Sequence, residues 1–337
     1  MAVNIKWLAK ELGLSISTIS RALQDSYQVS AETKQRVWEL AKKANYQPNP
    51  HASSLRRQKS RTIAIVVPEI SNNFFSLAIN GIDEVTQQNN YHVLIYLTHD
   101  SIEREIAIIK HLQNGRVDGV IMSVSSETSH YEHLLELQST SIPIVFFDRV
   151  CDEIDTVKVT TDDYKSGFNA TEHLIESGCK KIAYLQVAKN LSIGQKRLNG
   201  YIDALAAHKI PFNDSLLVTG TKIPGEDHKL IKKLLSAKKR PDGIFASVES
   251  LAITTYYVCR ELGLSIPGDV KIIGFSNLAT APLLSPSLTT ITQPAADIGA
   301  EAATSLFYML KKHKSHFPKN IVLASTLVPR ESTKKQL

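Results

Sequence analysis

Ser15, Ile16, Ser17, Thr18 and Arg21 lie within one run of seven residues. Short hydroxyl side chains let a helix come close to base edges, and an arginine on such a helix can pair bidentately with guanine in the major groove. A second group is scattered along the chain but shares a position, just after β-branched runs: Asn72 with Phe74 and Phe75, Asp148-Arg149, Glu249, and Ser276-Asn277. Arg197, between a predicted strand and a predicted helix, joins them. Carboxylates and arginine beside aromatics suit a sugar-like or anionic metabolite, whose ring stacks on Phe while charged groups fix its hydroxyls. For any one of these residues, surface loop decoration is the plainer alternative.

Catalytic chemistry finds little support. The chain has no G-x-G-x-x-G, no Walker loop and no G-x-S-x-G elbow, so no cofactor and no enzymatic nucleophile are expected. His130, His133 and Glu127 read as a polar loop rather than a metal site. Asp162-Asp163 reads as a helix-entry cap rather than an acid pair. Cys151, Cys179 and Cys259 are odd in number, far apart and without metal spacing, which fits reduced, buried thiols in a cytoplasmic protein.

The first group needs a helix presented by a compact support, and the surrounding residues supply one. Leu8 and Leu12 share a helical face with small Ala9 beside them, and Gly13 then breaks the pattern. Ser15 is placed to cap a second helix, Ile16 to Leu23, whose inward residues are Ile19 and Leu23. Ala9 allows a close crossing and Gly13 a tight turn, a combination expected of a helix-turn-helix. A third helix, capped by Ser30, buries Val37, Leu40, Ala41 and Ala44, with Trp38 at its edge. Beyond Tyr46, Asn49 can cap and Pro50 can open a short helix through Ala52, Leu55 and Arg56. At that length it is marginal alone, so it either orders on binding or serves as a plain linker.

Charge separates this front segment from the rest. Residues 1–61 carry eleven Lys and Arg against four acids, net +7, whereas the remainder holds 28 basic and 29 acidic groups. Clustered cations favour a polyanion partner through counterion release, with a solvated basic terminus as the alternative. No run approaches the roughly 18 apolar residues of a membrane span, and the first ten residues lack an apolar signal core, so no membrane partner and no export are expected.

From Thr62 onward β-branched runs alternate with helical stretches, which argues for parallel, doubly wound sheets. An echo points to two lobes: Ile63-Ala64 precedes Gly81 at the spacing by which Ile182-Ala183 precedes Gly200, and Asp118-Gly119-Val120-Ile121 is matched by Asp242-Gly243-Ile244-Phe245. Such lobes bind ligands in the crevice at the carboxyl ends of their strands. A transporter's solute-binding protein would share these lobes, but it needs an export signal and no basic front module.

Ile5-Lys6-Trp7-Leu8-Ala9, Gly13-Leu14-Ser15, Ser17 through Leu23 and Asn45-Tyr46-Gln47-Pro48-Asn49 resemble the head of the lac-repressor (LacI/GalR) family. Asp148-Arg149, Gly167 with His173-Leu174-Ile175, Arg197 before Gly200-Tyr201, Gly274-Phe275 and Leu288-Thr289-Thr290 resemble its core motifs. The resemblance implies that Ile16, Ser17 and Arg21 read major-groove bases. It also implies that Ala52 and Leu55 belong to a minor-groove hinge helix, with Leu55 wedged into a base step. The usual Ala-Arg of the hinge is Ala52-Ser53 here, leaving Arg56 and Arg57 to supply the phosphate contact. Phe74, Asp148, Arg197, Glu249 and Gln293 are implied to line an effector cleft. Ser276 stands where the family has Asp, which points to a more anionic effector.

The expected organisation is an all-α helix-turn-helix head (1–48), a hinge helix and linker (49–60), and an α/β, two-lobed, periplasmic-binding-protein-like sensor (61–337). The first lobe is expected at about 61–160 plus 292–320 and the second at about 161–291 plus 321–337, with crossings near Thr161, Thr292 and Asn320. The expected partners are an inverted-repeat, double-stranded DNA operator, a small-molecule effector of the sugar or sugar-acid class, and a second copy in a homodimer. The chain shows no trailing leucine heptad, so a zipper tetramer is not expected.

Overall fold

The computed structural model describes residues 4–46, 60–114, 116–187, 192–221, 223, 225–311 and 318–335. The chain divides into two units, residues 1–60 and 61–337. Asn49, Ala52, Leu55 and Arg56, expected in a hinge helix, lie outside the described residues.

The described residues of the first unit form three helices: α1 (Ile5–Leu12), α2 (Ile16–Leu23) and α3 (Ala31–Lys43). Each begins on a side-chain cap, with Asn4, Ser15 and Ser30 accepting from the backbone N–H groups of Trp7, Thr18 and Thr33. Gly13 closes α1 at φ 64°, in the left-handed region that lets α2 leave at a steep angle. Leu8, Ile19 and Val37, one from each helix, are fully buried together. Burying side chains of this size contributes roughly 1.5–3 kcal/mol each, which is how helices this short hold their shape. Trp38, expected at the edge of this core, is about half exposed at 52%.

The second unit contains two six-stranded sheets. The first has the order β11-β5-β4-β3-β1-β2, from β1 (Thr62–Val67), β2 (His92–Leu97), β3 (Gly119–Met122), β4 (Ile144–Phe147), β5 (Lys158–Thr161) and β11 (Asn320–Leu323), all parallel. The second has the order β12-β10-β9-β8-β6-β7, from β6 (Ile182–Gln186), β7 (Leu217–Thr219), β8 (Gly243–Ala246), β9 (Lys271–Phe275), β10 (Thr289–Thr292) and β12 (Thr326–Val328). Only β12 runs antiparallel, against β10. Helices α4 (Asn73–Gln88), α5 (Ile102–Leu112), α6 (Glu132–Ser139) and α11 (Ala295–Leu310) accompany the first sheet. Helices α7 (Asp163–Glu176), α8 (Ser192–Ala207), α9 (Glu226–Leu235) and α10 (Glu249–Leu262) accompany the second. Strands buried on both faces explain the unbroken β-branched runs, and the parallel order follows from the helical crossovers.

The glycine echo has a steric cause. A Cβ on Gly81 would run into the carbonyl of Ala296 on α11, and one on Gly299 into that of Ala78 on α4. In the second lobe Gly200 on α8 meets the carbonyl of Tyr164 on α7, and Gly167 meets that of Arg197. Each lobe therefore packs one helix pair backbone to backbone.

Two crossings between lobes follow Thr161 and Thr292, where β5 leads into α7 and β10 into α11. The third follows Leu323 rather than Asn320, because Asn320–Leu323 is itself a strand paired with β5. No helix among the described residues is long and apolar enough to cross a membrane.

Candidate functional sites: a nucleic-acid interface and a ligand cleft

On α2, the residues that do not face the core are those expected to face a partner. Ile19 and Ala22 are buried, while Ser15, Ile16, Ser17 and Arg21 are exposed and Thr18 is half-buried. The Ser15 hydroxyl caps Thr18 N–H at 3.0 Å and lies 2.7 Å from the Ser17 hydroxyl and 2.8 Å from that of Thr18. The start of α2 thus offers small hydroxyls, an exposed Ile16 and the exposed Arg21. Tyr27, in the turn after α2, is 92% exposed and was not singled out from sequence.

In the second unit, Asn72, Phe74, Asp148, Arg197, Glu249, Ser276, Asn277 and Gln293 all line one cleft, with Phe75, Arg149, Ile193, Ser247, Val248 and Phe275. As the side chains stand, about 50 Å³ of cavity remains there. The strands deliver these residues: β4 ends before Asp148, β8 before Ser247 and Glu249, β9 before Ser276, and β10 before Gln293. Both sheets reverse strand order next to their first strand, and the crevice opens at that switch.

Arg197 does not sit between strand and helix as expected; it lies inside α8, in its second turn, and is buried. Its Nε donates to Asp163 Oδ1 at 2.7 Å and its Nη1 to the Ser247 carbonyl at 2.8 Å. Its guanidinium carbon stands 3.5 Å from the centre of the Phe275 ring. Asp163 was missed. Asp162 is indeed the helix cap, accepting from Lys165 N–H at 3.1 Å, but the next residue turns inward and is almost fully buried. Burial pushes the Asp163 carboxyl up to about 6, with Arg197 opposing the shift and nearby Asp148 adding to it. Burial likewise raises Asp148, against the pull of Arg149 and Arg197. Asp148 also holds a left-handed backbone, φ 58°, unusual for a residue with a side chain and common where strain serves a site.

Phe74 belongs as much to the core as to the cleft: it is 5% exposed and stacks on Phe147 at 6.5 Å. Within the cleft, Arg197 covers the ring face of Phe275. Arg149 Nη1 bonds Asp100 Oδ1 at 2.7 Å. Asn277 Nδ2 donates to the Gln293 carbonyl at 2.7 Å, tying the ends of β9 and β10 together. The Gln293 amide faces Asp148 without a well-formed hydrogen bond, so its buried Nε2 lacks an acceptor, as does the buried Nε of Arg149. The Ser276 hydroxyl donates to Glu249 Oε2 at 2.6 Å.

His133 is buried on α6 rather than placed in a polar loop, and its Nε2 lies 2.9 Å from Glu105 Oε1. Glu105, also buried, accepts from Ser125 N–H at 2.7 Å and Thr128 Oγ1 at 3.0 Å, pinning the loop after β3. Among the described residues no group of three His, Cys, Asp or Glu is arranged to hold a metal.

Residues 4–49 match the family described as bacterial regulatory proteins, lacI family, and residues 171–333 match the periplasmic binding protein-like domain. The Ribose operon repressor of Haemophilus influenzae is 31% identical over 98% of this chain and 98% of its own. The chain belongs to the LacI family of bacterial regulatory proteins. Among solved structures, a LacI family transcriptional regulator from Enterococcus faecium with bound ribose is 26% identical, with TM-score 0.72 over 82% of this chain and 100% of its own. The lac repressor dimer bound to operator and the anti-inducer ONPF has TM-score 0.87 over 99% of this chain and 100% of its own; at 20% identity it speaks to the fold alone. This LacI-family chain is a DNA-binding transcriptional regulator with a periplasmic-binding-protein-like effector domain, as its head and its two-lobed unit each indicate.

Proposed function

We propose that this regulator is a sugar-responsive repressor that acts as a homodimer on an inverted-repeat operator, with a neutral polyhydroxylated sugar in the cleft. The observation that carries the ligand class is the pair of buried, unpartnered donors, Gln293 Nε2 and Arg149 Nε, beside a buried carboxylate, Asp148. Buried donors without acceptors are costly, and a ligand hydroxyl would satisfy both a donor and the Asp148 acceptor. Two lining carboxylates (Asp148, Glu249), against two arginines already engaged by Asp100 and Asp163, weigh against an anionic effector. The Haemophilus relative's name and the ribose in the Enterococcus structure support the same class.

Two copies would place their α2 helices in successive major grooves, about 34–36 Å apart or a multiple of that. Sugar binding shifts lobe orientation and so the affinity for DNA. The test is thermal unfolding of the full chain with neutral pentoses and hexoses set against the corresponding sugar acids. A neutral sugar at a hundredfold excess over its Kd should add roughly 2.7 kcal/mol of apparent stability. Arg197→Ala should remove that response while DNA retention persists. Stabilisation by the acids alone would overturn the proposed ligand class.

A further inference from the structure

Asn73 and Glu249 meet across the mouth of the cleft. Asn73 opens α4 in the first lobe, and its Nδ2 donates to Glu249 Oε1 at 2.7 Å; Glu249 opens α10 in the second lobe. The other oxygen, Oε2, takes the Ser276 hydroxyl at 2.6 Å. Each lobe thus engages one oxygen of the same carboxylate, and neither oxygen depends on a ligand for its partner.

We propose that Glu249 is a positioning residue rather than a sugar contact: with Asn73 it forms a latch that holds the two lobes together before any sugar arrives, and Ser276 aims it. The latch rests on the sugar-sensor reading only for what it regulates. The contact itself joins two lobes of this chain, whose strands cross over only after Thr161, Thr292 and Leu323. Rotation about those crossings separates α4 from α10 and breaks the bond, so it contributes to the closed arrangement alone.

The chemistry suits the role. A hydrogen bond to an ionised carboxylate is stronger than one between neutral groups, and this one is partly shielded from water. Two helix N-termini, those of α4 and α10, converge on the Glu249 charge and favour it. A carboxylate at position 276 would face Oε2 with a like charge, whereas the serine hydroxyl donates to it. A ligand that needs a closed cleft binds more weakly by the fraction of chains already closed, so the latch raises apparent sugar affinity without touching the sugar.

The test measures closure directly. Nitroxide labels on the full-length chain at Ile70→Cys and Ser250→Cys, exposed positions in different lobes, report lobe separation by pulsed dipolar spectroscopy. The native cysteines are buried. Without sugar, the unaltered latch should give one short distance. Asn73→Ala should lower the closed-to-open ratio by about tenfold, the scale of one charge-assisted hydrogen bond. Asn73→Asp should open the cleft further, since it sets a carboxylate against Glu249. Aspartate is favourable in the first turn of a helix, so this variant keeps its fold. Glu249→Gln retains an acceptor for Asn73 and should stay mostly closed.

Distances unchanged in both Asn73 variants, or already long in the parent, overturn the latch. D-ribose, titrated as the probe sugar, separates the two readings. If Asn73→Asp opens the cleft while ribose leaves every variant unmoved, the latch stands and the ribose reading fails. If ribose binds equally well to all variants with unchanged distances, the latch fails and the sensor reading survives.

Discussion

Burial pushes the Asp163 carboxyl up to about 6; Arg197 opposes the shift and nearby Asp148 adds to it. An acid whose folded value exceeds its unfolded one takes up a proton on folding. The cost of burying its charge is therefore fully present above about pH 6 and is relieved as pH falls through that value toward the ordinary carboxylate range. Protonation also removes the ion pair that orients Arg197 Nε. Affinity for the proposed sugar should accordingly fall severalfold between pH 7.5 and pH 5.5. Asp163→Asn, which keeps an acceptor for Arg197 but does not titrate, should show a weaker dependence, with Asp148 left to titrate, when both are followed by calorimetry. An equal pH dependence in the two proteins would remove Asp163 from the site. Asn72, Asp148, Glu249, Ser276 and Asn277 were legible in the sequence, since strand ends in a doubly wound sheet converge on one crevice. Asp163 was not, because only the rotation of α7 against α8 decides which member of the Asp162-Asp163 pair turns inward.

That rotation is set by the helix pair itself. α7 and α8 touch through Gly167 and Gly200, so the backbone of one lies on the backbone of the other and Arg197 is brought beside Asp163. Gly200→Ala adds a single methyl, but the atom it meets is the Tyr164 carbonyl, which cannot swing aside as a side chain would. The helices must part, at a cost typical of overpacking, roughly 1–3 kcal/mol. The Arg197 to Asp163 bond should stretch with them. The variant should melt earlier and lose more of its sugar response than of its helix content, as read by calorimetry and far-ultraviolet circular dichroism together. Unaltered melting and sugar response would mean that the crossing has slack. The spacing echo between Ile63 and Gly81 and between Ile182 and Gly200 made this arrangement readable as a repeat, while its cause lies in the partner helices, far away in sequence. The third crossing between lobes was misplaced for a related reason. Asn320 looks like a linker residue until β11 is seen to pair with β5.

Across the whole chain, charge and function divide at the same place. The first 61 residues hold a net +7 and the rest a net −1, and the LacI-family match begins and ends within that front segment. Two kinds of cation must then be told apart. Lysines and arginines that meet phosphates release counterions and govern the salt slope, whereas a residue that reads a base edge governs discrimination between sequences. Arg21 is exposed on the outward face of α2, beside Ile16 and Ser17. Arg21→Ala should weaken binding to the cognate operator by about 1–3 kcal/mol per half-site contact, leave binding to random duplex nearly unchanged, and shift the salt slope by about 1 at most. The parent protein should lose roughly a thousandfold in affinity between 50 and 200 mM salt if it engages about six phosphates. Titrations of both proteins on operator and random DNA across that range check the two effects independently. A parallel loss on both DNAs would reduce Arg21 to one more phosphate contact. A flat salt response in the parent would remove the electrostatic basis for reading the front segment as a DNA-binding head at all.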